Sequence, residues 1–173
     1  MQKTDLLLAP LGEAFLILIA GLAGWLAHQP LIFASLGPTA YELIEMPHRR
    51  SARPWSIFAG HGVAVGAGYL ALFATAAWKA GPVSPSGVPL PRVWAAVLAA
   101  GLTVFVTLLL RASQPAALST TLLIALGIMQ TPRDAAIIMG AVILMMAVGE
   151  PLRRWRLAAQ EQRNRQQESR QES

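Results

Sequence analysis

Six stretches of the chain are apolar enough to leave water, separated by polar or Pro/Gly-rich borders: residues 6–27, 31–46, 55–78, 93–110, 115–130 and 135–149. A helix needs about 20 apolar residues to cross the hydrocarbon core of a bilayer. The first and third stretches meet that length, the fourth and sixth approach it, and the second and fifth fall short. Short stretches of this kind are either tightly fitted spans or re-entrant half-helices. The pattern predicts an all-α, polytopic transmembrane helical bundle of four full spans plus two short or re-entrant helices, a single transmembrane domain over residues 1–150.

The borders divide the chain in two. Gly81-Pro82-Val83-Ser84-Pro85-Ser86-Gly87-Val88-Pro89-Leu90-Pro91 holds four prolines and two glycines, which no helix propagates through. It reads as an exposed loop between halves at about 6–78 and 93–150. Each half has a long stretch, then a short one opened by proline, within Leu36-Gly37-Pro38-Thr39-Ala40 or Ser113-Gln114-Pro115-Ala116-Ala117. A second proline beside an arginine follows, Arg53-Pro54 or Pro132-Arg133, and then a closing stretch. Pro38 and Pro115 lie 77 positions apart, and Pro54 and Pro132 lie 78 apart. If every segment crosses, the copies have opposite orientations, the inverted-repeat plan of many transporters.

Composition supports the membrane assignment. Of 173 residues, 54% are hydrophobic and 13% charged, and the mean hydropathy is +0.48, above that of ordinary soluble domains. The net charge of +5 gathers at Arg49, Arg50 and Arg53 and again at Arg153, Arg154, Arg156, Arg163, Arg165 and Arg170. These clusters border apolar runs and match no nucleic-acid reader motif, so they fit cytoplasmic flanks rather than a nucleic-acid surface. That orientation places Arg111 and the C-terminus in the cytoplasm and the Pro-rich loop outside, for a multi-pass protein of the inner (plasma) membrane. The N-terminus joins them inside only if the second stretch crosses fully. The first stretch reads as a retained helix rather than a removed signal peptide. Residues 151–173 form a basic tail that, from Gln160 on, has no apolar face and is expected to be disordered beyond one helical extension.

Several chemistries drop out. The chain has no cysteine, and no His, Asp and Glu group stands at ligand spacing. Neither a metal nor a cofactor is expected. No nucleophile, base and orienting group stand together, so an enzyme is not expected either. Gly62 and Gly66, flanked by Gly60 and Gly68, and Ala136 with Gly140 form small-xxx-small pairs that let helices approach closely. Such faces on so thin a body point to a homo-oligomer.

The two proline-opened short segments are the most informative feature. Proline at the first helical position is a helix-start signature, and each start leaves backbone N–H groups without helical partners. In a membrane these groups need protein, water or a ligand, and the helix dipole favours an anion there. Two such ends suggest a shared anion path. Ser35, Gly37, Thr39, Ser113, Gln114, Ser119, Thr120 and Thr121 would supply neutral contacts to a small ion. The competing role for the Ser and Thr hydroxyls is back-bonding to carbonyls of their own helices. His61 either takes part in protonation or bonds a neighbouring carbonyl. Arg53 and Arg111 either attract an anion or simply orient the chain. Glu13 is expected near the interface, with Pro10 and Gly12 ahead of the true helix start. Glu42 and Glu45 are expected to pair with Arg49 and Arg50, Asp134 with Arg133, and Glu150 with Arg153 and Arg154.

The run Ala34-Ser35-Leu36-Gly37-Pro38-Thr39-Ala40, followed by Arg53-Pro54-Trp55 and Gly60-His61, resembles the HPP family of small integral membrane proteins over about residues 10 to 150. Members are usually described with four spanning helices, and some from cyanobacteria and chloroplasts are linked to nitrite transport. Some relatives also carry an appended soluble regulatory domain, for which this chain is too short. The name-giving His-Pro-Pro falls where this chain has Gln114-Pro115-Ala116, and the family's Pro-Arg-Asn falls at Pro54-Trp55-Ser56. The resemblance implies a transporter or channel for a small monovalent anion, nitrite first among candidates. The alternative is a non-transporting membrane scaffold or assembly protein, motivated by the missing signature histidine and the glycine-rich faces.

Overall fold

The computed structural model describes residues 3–171. The described residues form six α-helices: α1 (Lys3–Ala27), α2 (Leu36–Glu45), α3 (Pro54–Ala74), α4 (Leu90–Leu109), α5 (Pro115–Ala125) and α6 (Pro132–Gln171). Four contain apolar windows long enough to cross a membrane: Leu7–Ala27, Pro54–Ala74, Leu90–Leu109 and Pro132–Gln162. The remaining two, α2 and α5, are the short ones.

Both short segments nevertheless travel the whole bundle. Gln29 accepts a hydrogen bond from Arg133 near the start of α6 (3.1 Å), while Arg153, 20 residues further along α6, donates to the Pro47 carbonyl (2.8 Å). Twenty helical residues rise about 30 Å, the thickness of a hydrocarbon core. The non-helical lead-in 29–35 and α2 together cover that distance. Likewise 110–131 leaves the end of α4 and returns to its start, where Gln130 meets Arg92 (2.8 Å). The segments are therefore broken spans, not re-entrant loops, and α1 begins on the face where α6 ends. That face also holds the Arg49–Arg53 turn, and is called the basic face below.

The tryptophans mark the two interfaces independently. All five are exposed: Trp55 and Trp155 toward the basic face, Trp25, Trp78 and Trp94 toward the other. Amphipathic rings collect at headgroup depth, so the broken spans lie between two aromatic belts.

The halves are related by exchange. The helix α2 packs on α1 and α6, whereas α5 packs on α4 and α3; α3 also meets α6, and α2 meets α5. Swapping halves reproduces this pattern, and the first half begins at the face where the second ends. Each short helix thus sits between the first helix of its own half and the closing helix of the other.

Buried arginines hold the C-terminal ends of both short helices. Arg92, fully buried, donates to the carbonyls of Ala125 (3.3 Å), Gly81 (3.1 Å) and Ala80 (2.7 Å), and to Gln130 Oε1. Arg156, also buried, donates to the Ile44 carbonyl (3.2 Å) and lies 3.7 Å from Glu45. A cation at a helix C-terminus meets the negative end of the dipole and the free carbonyls there. Gly127, at φ +84°, makes room for Arg92: a Cβ would stand 2.6 Å from the guanidinium carbon.

Several expectations need correction. Glu42 is buried without an ion pair, and Glu45 faces Arg156 instead of Arg49 or Arg50. Asp134 accepts from the Thr131 amide (2.8 Å), because a carboxylate beside a helix start caps it, while Arg133 reaches Gln29. Pro10 and Gly12 lie inside α1 rather than ahead of its start, and Glu13 lines an open outer groove of about 690 Å³. Gly62, Gly66 and Gly140 face open space; Gly60 and Gly68 make the close approaches, to Gln114 and Ile124 of α5. The tail beyond Gln160 continues α6 to Gln171, in keeping with the helix propensity of Gln, Glu and Arg. Glu150 does pair with Arg153 (2.6 Å) and Arg154 (2.7 Å).

These glycines separate cleanly by experiment. Gly127→Ala should lower unfolding stability in mild detergent by about 2 kcal/mol or more through strained φ and overpacking, whereas Gly62→Ala should stay within about 0.5 kcal/mol. Equal losses at both positions would contradict the packing described.

Candidate functional site at the crossing of the broken spans

Ser35, the N-cap of α2, stands with Thr39 and Glu42 at i, i+4 and i+7, a polar stripe along one side of the helix, and all three are buried. At its upper end the stripe meets α5: Thr120 Oγ1 donates to Ser35 Oγ at 2.8 Å. Thr39 Oγ1 returns to the Ser35 carbonyl (2.8 Å). On the far side of α5, Thr121 and Thr103 of α4 share a hydroxyl hydrogen bond of 2.8 Å, and Thr107 Oγ1 donates to the Thr103 carbonyl (2.7 Å). A chain of buried hydroxyls on three helices thus surrounds the point where the broken spans cross. The back-bonding role applies to Thr39, Thr107 and Thr121, since each reaches a carbonyl four residues earlier.

The helix starts differ from the expectation of two open ends sharing one path. At α5, Gln114 Oε1 accepts from the Ala116 amide (3.1 Å) and the Gln114 carbonyl from Ala117 (3.0 Å), while Pro115 has no N–H. The first turn of α5 is therefore closed by its own cap. At α2, Leu36 donates to Phe33 and Thr39 to Ser35; Pro38 lacks an N–H, so at most the Gly37 amide is open. Pro38 stands third in α2 rather than first, and both Pro38 and Pro115 are exposed. Because α2 and α5 run antiparallel, their N-termini open toward opposite faces. Ser35 sits beside Thr120, six residues beyond Gln114, which offsets the ends by about 9 Å.

Toward the basic face lies a second polar group. Gln114 packs on α3 where Gly60 has no side chain; a Cβ there would stand 2.7 Å from Gln114 Cβ. The Glu42 carboxyl lies beside the Gln114 amide and the Ser51 hydroxyl. His61 follows Gly60, and its Nδ1–H donates to the Ile57 carbonyl at 2.9 Å. Glu42 Oε2, Gln114 Nε2 and His61 Nε2 are buried without hydrogen-bond partners.

The family model described as HPP, transmembrane region, matches residues 1–154. The chain belongs to this family. No curated protein and no solved structure matches it. In this HPP-family protein the Gly60-His61 pair gains a physical role: glycine admits the Gln114 cap, and histidine projects into the bundle. The structure brings together Ser35, Thr39 and Thr120, and places Gln114 against Gly60, next to His61. It leaves Gly37 and Ser119 half-buried and Ser113 and Arg111 at the surface, with Arg111 ending α4 at φ +51°. Missed by sequence reasoning were Glu42, Thr103 and Arg92. The stripe spacing on α2 and the Thr103/Thr107 pair on α4 were the available signals.

The crossing bond is open to a double-mutant cycle. Ser35→Ala and Thr120→Val should each cost about 1–3 kcal/mol by orphaning a buried hydroxyl or packing site, and the double variant should cost about 1 kcal/mol less than their sum. Strict additivity in detergent unfolding would show that the two hydroxyls are not coupled.

Proposed function

We propose that this HPP-family membrane protein is a transporter or channel for a small monovalent anion, nitrite the first candidate, that passes where the two broken spans cross. The observation that supports it most is the antiparallel crossing of α2 and α5 with Ser35 and Thr120 at its centre. Inverted halves, with interrupted helices meeting in a polar spot between the interfaces, suit alternating access. Anion preference follows from charge: Arg92 is buried among neutral acceptors at one end, and Arg49, Arg50, Arg53 and Arg111 gather at the other. The basic face is assigned to the cytoplasm of the inner membrane by the same arginines.

Uptake of nitrite, nitrate, formate and chloride into proteoliposomes tests this directly. Flux above empty vesicles for at least one anion is expected, reduced by Ser35→Ala; no flux for any would remove the function.

One observation favours the second role, a non-transporting scaffold: the hydroxyls at the crossing bond one another, and the first turn of α5 is closed by its own cap. Single cysteines at Ser35, Ser119 and Thr120 decide between them, with Ser86 as a control for the outside face. A transporter exposes the first three to a small impermeant thiol reagent when substrate is present, and a scaffold keeps them dry.

A further inference from the structure

The second polar group, beneath the basic face, is not used by the hydroxyl crossing. Glu42 and Gln114 are both more than nine-tenths buried, and each has an unpartnered atom, Oε2 of the carboxyl and Nε2 of the amide. Buried polar atoms are nearly always hydrogen-bonded, so each orphan calls for an explanation. Gln114 cannot turn its oxygen toward Glu42 without abandoning the Ala116 amide that it caps. Its NH₂ therefore remains as a donor beside a carboxyl whose second oxygen is free. The cap fixes the donor, Gly60 fixes the backbone distance of the cap from α3, and α2 brings the carboxyl to it.

The charges around Glu42 leave it without a direct counter-ion. Arg49 on the following turn acts on it through space, and the Ser51 hydroxyl lies beside it. On its own helix, Glu45 faces Arg156 of α6. Arg153 is taken up by Glu150 and the Pro47 carbonyl. On α1 Glu13 lines the outer groove; α5 brings Gln114 at its start, and α3 carries the buried His61. A buried carboxyl with a hydrogen-bonding neighbour and no paired cation is a site for a reversible proton.

We propose, on the footing of the transport function above, that Glu42 binds the proton that accompanies the transported anion, with Gln114 holding the carboxyl beneath the basic face. The carboxylate gains one proton as the anion loads and returns it to water as the anion leaves. One proton and one anion move together, no net charge crosses, and no other bond is made or broken. Gln114 is a positioning residue.

Two measurements on the full chain test this. In infrared spectra of the purified protein, a carbonyl band of a neutral carboxyl should titrate with pH, vanish in Glu42→Gln and return in Glu42→Asp. In proteoliposomes, nitrate or chloride, anions of strong acids that leak little as neutral species, should accumulate about tenfold for an inward gradient of about one pH unit. Glu42→Gln should abolish this accumulation, and Glu42→Asp should retain it. A band that survives Glu42→Gln, or flux that ignores the pH gradient, overturns the proton site while the transport function stands. Absence of flux for every anion removes the transport function, and the coupling with it.

Discussion

A helix broken inside hydrocarbon exposes peptide groups that lipid cannot satisfy, and this fold is organised around meeting that demand twice. Each break leaves amides at one end and carbonyls at the other. The amides are met locally, by the Gln114 side chain at α5 and by a turn onto the Phe33 carbonyl at α2. The carbonyls are met from a distance, by Arg92 of α4 at the end of α5 and by Arg156 of α6 at the end of α2. An arginine is suited to this because its fork of donors reaches several carbonyls at once. Arg92 binds four acceptors and thereby also fastens the Pro-rich loop and the α5–α6 connection.

From this constraint follows an inverted distribution of side chains. Leucines, phenylalanines and tryptophans face outward, among them Leu7, Leu22, Phe73 and Phe105, where lipid tails accept them without cost. The interior keeps a few large side chains, among them Leu16, Leu43, Ile57 and Ile138, and fills much of the rest with alanine and threonine, which let the short helices lie close to their neighbours. Hydroxyls concentrate there because each finds a partner: Ser35 with Thr120, and Thr103 with Thr121. The polar interior is thus a by-product of close packing around two breaks, and it is also what a permeating ion would require.

Much of this was legible in the chain. The six apolar stretches, the central Pro-rich loop and the two-fold recurrence of prolines correspond to the six helices and the exchange of halves. The length of α2 was not legible, since residues 31–34 are apolar enough to extend a helix yet lie outside it, and their packing is tertiary: Leu31 and Ile32 stand where Gly24 and Gly21 of α1 have no side chain. Helix-start signatures were read as open anion sites, but Gln114, the residue standing where the family has histidine, caps the helix itself. Glu42 was assigned to surface ion pairing because acidic residues near arginines usually are; its stripe with Ser35 and Thr39 reveals the opposite only when the buried face of α2 is known. Gly62 and Gly66 match a packing motif, yet Gly60 and Gly68 carry the contacts because they, not the motif pair, face α5.

The central claim is that α2 and α5 cross antiparallel within one chain, with Ser35 against Thr120. The absence of cysteine makes disulfide trapping clean: cysteines placed at both positions in membranes should oxidise rapidly to an intramolecular bond, while cysteines at Ser35 and Ser113 should not. Failure of the first pair to close, or closure only between two chains, would contradict the account.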